Sequence, residues 1–301
     1  MPRHRRRDRR GNAGGTRTCP PSSIASRHRQ PSILGAPLPH PNIHIESAGA
    51  ITTVTIDRPR RKNACTPAMW AGLRHGFRDI AESSARAVVL TGAGGDFCAG
   101  ADVGPTDDTE ASADQPPRHR IDHMRDIADT VMAIHDCPRP VIAKVDGVAV
   151  GAGFGMALAA DMVWCSERAR FSLIFAKRGL SLDFGTSWLL PKRIGLHEAK
   201  RLAFTGDIIG ASRAAELGIV NEVVAAEDLD AAVDEMAATL AAGPPIALAN
   251  SKRFLNNASN ISLFQALEAE ALGQGVNFAT HDTKEAMRAF VEKRDPAFEG
   301  W

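Results

Sequence analysis

The 301 residues contain five cysteines, Cys19, Cys65, Cys98, Cys137 and Cys165, and no two of them form a Cys-x-x-Cys pair. An odd number without that spacing excludes the signature of a disulfide scaffold or a zinc site and fits the reduced thiols of an intracellular protein. No apolar run reaches the ~18 residues of a membrane span. Val141–Val150 is too short, and Lys144 and Asp146 interrupt it. There is no internal repeat, and no His/Cys/Asp cluster has metal-ligand spacing, so no metal and no redox cofactor is expected. Lysine is missing from residues 1–40, where nine arginines face the single acid Asp8, a net +8; the remainder carries −7. No apolar core follows these basic residues, which excludes a secretory signal.

What is present is an ordinary globular composition, 44% hydrophobic and 24% charged. The head contains Arg5-Arg6-Arg7 and Arg9-Arg10, a composition shared by acid-binding tails and organelle-targeting peptides. The plainer reading is a disordered basic extension over residues 1–40, with neither nucleic acid nor membrane as partner. A cytoplasmic location goes with it, or an organelle matrix if the head is a targeting peptide. From Ile43 the pattern is ordered. Ile43–Glu46 and Ile51–Ile56 alternate as a hairpin with its turn at Ala48-Gly49. Thr66-Pro67 has the form of an N-cap followed by proline at the first helical position, and Met69, Leu73, Phe77 and Ile80 follow at helical spacing. Strands are expected at Ala87–Leu90, Val141–Val145, Met162–Cys165 and Ile219–Val224, with helices over Ile121–Ile134 and Gly151–Ala160. A loop spans Gly104–Pro117, a helix begins near Ser212, and the pattern is helical from Leu229. This divides the chain into an α/β core over 41–228 and a helical region over 229–301.

Two constellations carry chemistry. Phe97-Cys98-Ala99-Gly100-Ala101-Asp102 follows a buried strand, and small residues there let a backbone N–H approach a bound oxygen. Val145–Gly155 runs from a strand through a glycine-rich turn into a helix, whose free N–H groups and dipole favour developing negative charge. Gly151-x-Gly153-x-Gly155 lacks the dinucleotide spacing, and no acid sits at a strand end ~20 residues on. Tight helix packing remains the alternative for this second motif.

Together the motifs resemble the enoyl-CoA hydratase/isomerase (crotonase) family. The likeness continues in order through Arg58-Pro59, Asn63-Ala64, Pro140–Ala143, Asp161, Ala169–Phe171, Gly179-Leu180, Leu190-Pro191, Ala214–Gly218 and Phe290–Pro296. It implies a crotonase-like spiral of β-β-α units with a helical C-terminal trimerisation region, assembled as a homo-trimer or a dimer of trimers. It implies an acyl-CoA thioester as substrate, with CoA as part of that substrate and no separate cofactor. The thioester oxygen is then held in an oxyanion hole by the backbone N–H groups of Ala101 and Ala152. Asn63, Ala64, Ala99 and Asp102 fall on the CoA-binding wall, Asp102 as an anchor of its loop, while Phe290 and Lys293 fall where the family meets the adenine end of CoA, with helix packing and a solvated charge as their alternative roles. Asp161 reads as a residue that ends a helix.

The acid/base positions depart from that pattern. Family hydratases carry two glutamates, and their positions fall on Gly155 and Phe175, neither of which transfers a proton. Asp183 remains, in the stretch where the family's isomerases carry a catalytic acid. One carboxylate suffices to move a proton from the α- to the γ-carbon, and the apolar neighbours Leu180, Leu182, Phe184 and Trp188 hinder its ionisation. The alternative role of Asp183 is to cap the helix Gly185–Leu190. The leading expectation is an isomerase-type enzyme working through Asp183. Behind it stand a hydratase with rearranged acid/base groups, an acyl-CoA-binding protein without catalysis, and a hydrolytic or dehalogenating enzyme pairing Asp183 with His123.

Overall fold

The structure, a computed structural model, describes residues 40–104 and 119–301. Nearly all of the basic extension and of the Gly104–Pro117 loop lies outside the described residues. Strands β1 (Ile43–Ala48) and β2 (Ile51–Ile56) form the expected hairpin. Its turn falls on Gly49-Ala50, one residue later than the sequence pattern places it, because Ala48 still pairs with Ile51. Gly49 there takes φ +61°, which glycine adopts without steric cost. Helix α1 (Pro67–Glu82) starts as read: the Thr66 hydroxyl accepts the Met69 N–H at 3.3 Å, and Met69, Leu73, Phe77 and Ile80 are buried.

Along the chain follow β3 (Ala87–Gly92), α2 (Arg120–His135), β4 (Val141–Val145), β5 (Val148–Val150), α3 (Ala152–Ala159), β6 (Met162–Ser166) and β7 (Arg170–Ser172). Then come α4 (Thr186–Ile194), α5 (Leu196–Thr205), β8 (Ile208–Gly210), α6 (Ala211–Glu216) and β9 (Glu222–Val224). Helices α7 (Leu229–Ala242), α8 (Pro245–Asn257), α9 (Leu263–Ala279) and α10 (His281–Glu292) complete the helical C-terminal region. The strand expected from Ile219 shrinks to Glu222–Val224. Asn221 brackets its start, with its backbone N–H on Val163 O and its side-chain oxygen on the Val163 N–H, both at 2.8 Å.

Six strands pair in the order β1-β2-β3-β4-β6-β9, antiparallel at β1/β2 and parallel beyond. The central strands are buried on both faces, which is why they read as continuous apolar runs. On β3, Val88 and Leu90 join the cluster that includes Leu73 and Phe77 of α1, whereas Val89 joins Ile142 and Trp164 under Leu229, Val233 and Ala237 of α7. A second sheet, β5-β7-β8, has only three residues per strand. Both chemically suggestive motifs lie just beyond the carboxyl ends of β3 and β4, where open parallel sheets place their ligand sites. No described helix is long and apolar enough to cross a membrane.

Candidate active site

The two small-residue motifs meet. Cys98 N donates to Val148 O at 2.9 Å, and Val150 N donates to Cys98 O at 3.0 Å, so the chain after β3 is stitched to β5. Gly100 has φ +95°, and a Cβ there would sit 2.7 Å from Val150 O and 3.3 Å from Ala152 N. Only glycine permits that approach. Gly153 is equally constrained, since a Cβ on it would overlap the Cys98 carbonyl oxygen.

Peptide planarity then aims the donors. Gly100 O accepts the Cys65 N–H at 2.8 Å, and the Gly100–Ala101 peptide is trans, so the Ala101 N–H points the opposite way. Gly151 O accepts the first bond of α3, from Gly155 N at 3.0 Å, and the Ala152 N–H projects beyond the helix N-terminus. Among the described residues neither N–H donates a hydrogen bond. Two unspent donors on adjoining backbones, one at the positive end of a helix, can hold an oxyanion. At the other end of α3, the Arg193 guanidinium donates to Leu158 O at 2.7 Å and Ala160 O at 3.4 Å, placing a cation where the helix dipole favours one.

Asp183 lies in the corner between the 3-10 turn Ile174–Arg178 and α4. Its side chain does not cap α4: the N-cap is Gly185, with no side-chain cap bond, and the Asp183 backbone oxygen accepts the Thr186 N–H (3.0 Å) and hydroxyl (2.8 Å). The Asp183 carboxyl oxygen Oδ1 is buried and has no hydrogen-bond partner among the described residues. Burial pushes the carboxyl up to about 6, because nothing nearby compensates the ionised form. Phe184, next in the chain, is buried with φ +50° and packs on Trp70 with ring centroids 5.0 Å apart.

Gly155 and Phe175, the two positions that the resemblance matches to hydratase glutamates, are filled in ways the sequence could not display. Gly155 faces the Asp183 corner: a Cβ on it would lie 2.8 Å from Phe184 O, 2.9 Å from Phe184 Cβ and 3.0 Å from Thr186 Cγ2. Phe175 is buried, its ring 3.9 Å from where a Cβ on Gly151 would be. The sequence shows both substitutions, but not that packing has taken over the space.

The other expected site residues fall as follows. Asn63 is fully buried, and its side chain is spent on Ala93 O (2.8 Å), Asp96 O (2.6 Å) and the Arg58 N–H (2.8 Å), so it shapes its loop from behind. Ala64 is buried, and Ala99 N bonds Lys62 O at 2.9 Å in the same loop pair. Asp102 does anchor its loop: its carboxylate, nearly buried, pairs with Arg58 at 2.5 Å and Arg61 at 3.1 Å and accepts the Gly104 N–H. Burial opposes its ionisation, but the bonds from Arg58 and Gly104 outweigh that and hold its carboxyl below the usual range. Asp161 follows α3 and accepts the Val141 N–H at 2.7 Å while pairing with Lys252 of α8, also at 2.7 Å. Phe290 and Lys293 are exposed at the end of α10, where Lys293 adopts φ +55° as its C-cap. His123 is exposed on α2, and no described contact joins it to Asp183. Among the described residues no group of three His, Cys, Asp or Glu could hold a metal.

The family model for enoyl-CoA hydratase/isomerase matches residues 46–301. The chain is 34% identical to the 1,2-epoxyphenylacetyl-CoA isomerase of Escherichia coli K12, over 85% of this chain and 97% of that one. It is 32% identical to the short-chain-enoyl-CoA hydratase of Clostridium acetobutylicum, over 84% and 95%. The crystal structure of an enoyl-CoA hydratase from Bacillus anthracis superposes with TM-score 0.79 at 31% identity, covering 86% of this chain and all of that one. The chain belongs to the enoyl-CoA hydratase/isomerase family and has its crotonase fold, an α/β core with a helical C-terminal region.

Proposed function

We propose that this enzyme isomerises an enoyl-CoA by proton transfer through Asp183, with the thioester oxygen held on the Ala101 and Ala152 N–H groups. The observation that carries this reading is the buried, unpartnered Oδ1 of Asp183, in a site with no second acid at Gly155 or Phe175. An ionised Asp183 takes a proton from C2 of a 3-enoyl thioester. The electron pair flows into the carbonyl, and the two N–H groups stabilise the resulting dienolate oxygen. The same carboxyl returns the proton to C4, and the double bond moves from C3–C4 to C2–C3. One carboxyl is enough because taking the proton from C2 makes it the acid that delivers a proton to C4, with exchange against solvent in between. No cofactor beyond the CoA of the substrate enters this scheme. The resemblance to an isomerase at 34% identity accords with it, while the hydratase relative at 32% keeps water addition as the second reading.

The same reading puts the adenine end of CoA at Phe290 and Lys293 and completes the site in a trimer or dimer of trimers. Exposed Phe264, Leu272 and Val276 on α9 supply apolar surface for subunit contact. A cytoplasmic location accords with Cys65, Cys98, Cys137 and Cys165, all buried and unbridged.

The test uses trans-3-hexenoyl-CoA in deuterated water. The wild type is expected to form the 2-enoyl thioester and to exchange solvent deuterium into C2 and C4. Asp183→Asn should lower both by about 100- to 10,000-fold. Unchanged isomerisation in the variant, or hydration of crotonyl-CoA faster than isomerisation in the wild type, overturns the proposal.

A further inference from the structure

We infer that Gly155 is a positioning residue, whose missing side chain seats the Asp183–Thr186 corner on α3 and so sets the acid relative to the donor Ala152. The inference rests on the isomerase reading and adds to it the part that fixes its geometry. Gly155 lies three residues after Ala152 on the same helix, ~4.5 Å along the axis. All eight residues of α3 are buried, so the helix cannot shift without disturbing the core. The corner meets it through Phe184 O, Phe184 Cβ and Thr186 Cγ2, all at or under 3.0 Å from a Cβ on Gly155. Two of these are backbone or Cβ atoms, which no rotamer change can move away.

The corner is itself stiff. Thr186 is buried and ties the Asp183 carbonyl twice, through its N–H and its hydroxyl. Phe184 is wedged against Trp70 in a left-handed conformation that only surrounding packing sustains. The oxyanion donor and the proton carrier therefore ride on one rigid contact, with Gly155 as its spacer. The contact also explains why a second acid is missing at this position: any side chain starting from residue 155 runs into the corner that carries the first.

Gly155→Ala separates positioning from mere packing, because within a helix the change is itself favourable by propensity. With trans-3-hexenoyl-CoA, kcat is expected to fall by roughly ten- to a hundredfold, the range for a displacement near 1 Å, while KM changes little. The acid limb of the pH–rate profile should move below its wild-type position as the displaced carboxyl gains water. Should Gly155→Ala not fold, Thr186→Val decides the matter, since it removes the hydroxyl tie without adding atoms toward α3, and the same paired signature is expected. A variant with the wild-type kcat and pH profile overturns the inference. If Asp183→Asn still abolishes turnover in that case, the proposed function stands without it; if Asp183→Asn is also fully active, both fall. Gly155→Glu should give no hydration of crotonyl-CoA, and hydration by that variant would likewise overturn the steric assignment.

Discussion

With burial holding its carboxyl at about 6, Asp183 is mostly ionised at pH 7 and mostly protonated at pH 5. As the proposed base it needs the ionised form, so kcat/KM for the proposed isomerisation should fall about tenfold per pH unit below 6 and level off above it, a limb that a pH–rate profile reads directly. The same burial has a cost in stability. The folded protein binds this proton more tightly than the unfolded chain, whose aspartate titrates near 3.9, so stability declines as pH rises from about 4 to about 6 and stays lower above. Asp183→Asn should therefore unfold at a higher temperature than wild type at pH 7.5, by an amount on the order of 1 kcal/mol after allowance for partial exposure, and show little difference at pH 4. Thermal melts at the two pH values check the sign. Asp183 was legible as a candidate through the family resemblance, because it falls where isomerases carry a catalytic acid, and its neighbours Leu180, Leu182, Phe184 and Trp188 pointed to hindered ionisation. Its lack of a partner was not, since that depends on which way the Asp183 carbonyl and Thr186 turn. Asn63 is the converse case. It sits in a recognisable motif, yet three hydrogen bonds to its own and a neighbouring loop consume its side chain.

Elements with a period declared themselves, and elements without one did not. The helical stripe of α1 and the apolar run of β3 are long enough to show their spacing. Strands β5, β7 and β8 have three residues each, too few for alternation, and only the pairing of distant segments creates their sheet. The tail after α10 was equally hidden. Glu285 accepts from Arg294 at 2.6 and 3.0 Å and from the Ala297 N–H at 3.1 Å, and buried Asp282 accepts the N–H groups of Glu299 and Gly300. The Arg294 bonds first, and then Ala297, hold the Glu285 carboxyl down at about 2. This contribution is complete above the unfolded value near 4.3 and is lost as pH falls toward 2. Glu285→Gln should raise amide exchange at residues 295–301 at neutral pH, measured by hydrogen–deuterium exchange. Because Phe290 and Lys293 lie between these anchors, KM for a CoA thioester should rise in the same variant with kcat nearly unchanged.

At the scale of the whole molecule, the C-terminal region leaves apolar side chains in water. Phe264 is 71% exposed, Leu272 75% and Phe278 66%, all on α9. Burying such a side chain stabilises by about 1.5–3 kcal/mol, so a few of them suffice to favour association. Light scattering should give the mass of three or six chains for the wild type. Phe264→Glu combined with Leu272→Glu should shift it toward one chain, and a monomeric wild type would refute the assembly. Helix α3 places a different demand on the molecule. An isolated helix of eight residues is marginal in water, and this one has no face that tolerates solvent. It can wind up only against β-strands that have already collected partners from far along the chain. Catalytic competence of a refolding chain is therefore expected to return with the same rate constant as the burial of Trp70 beside Phe184.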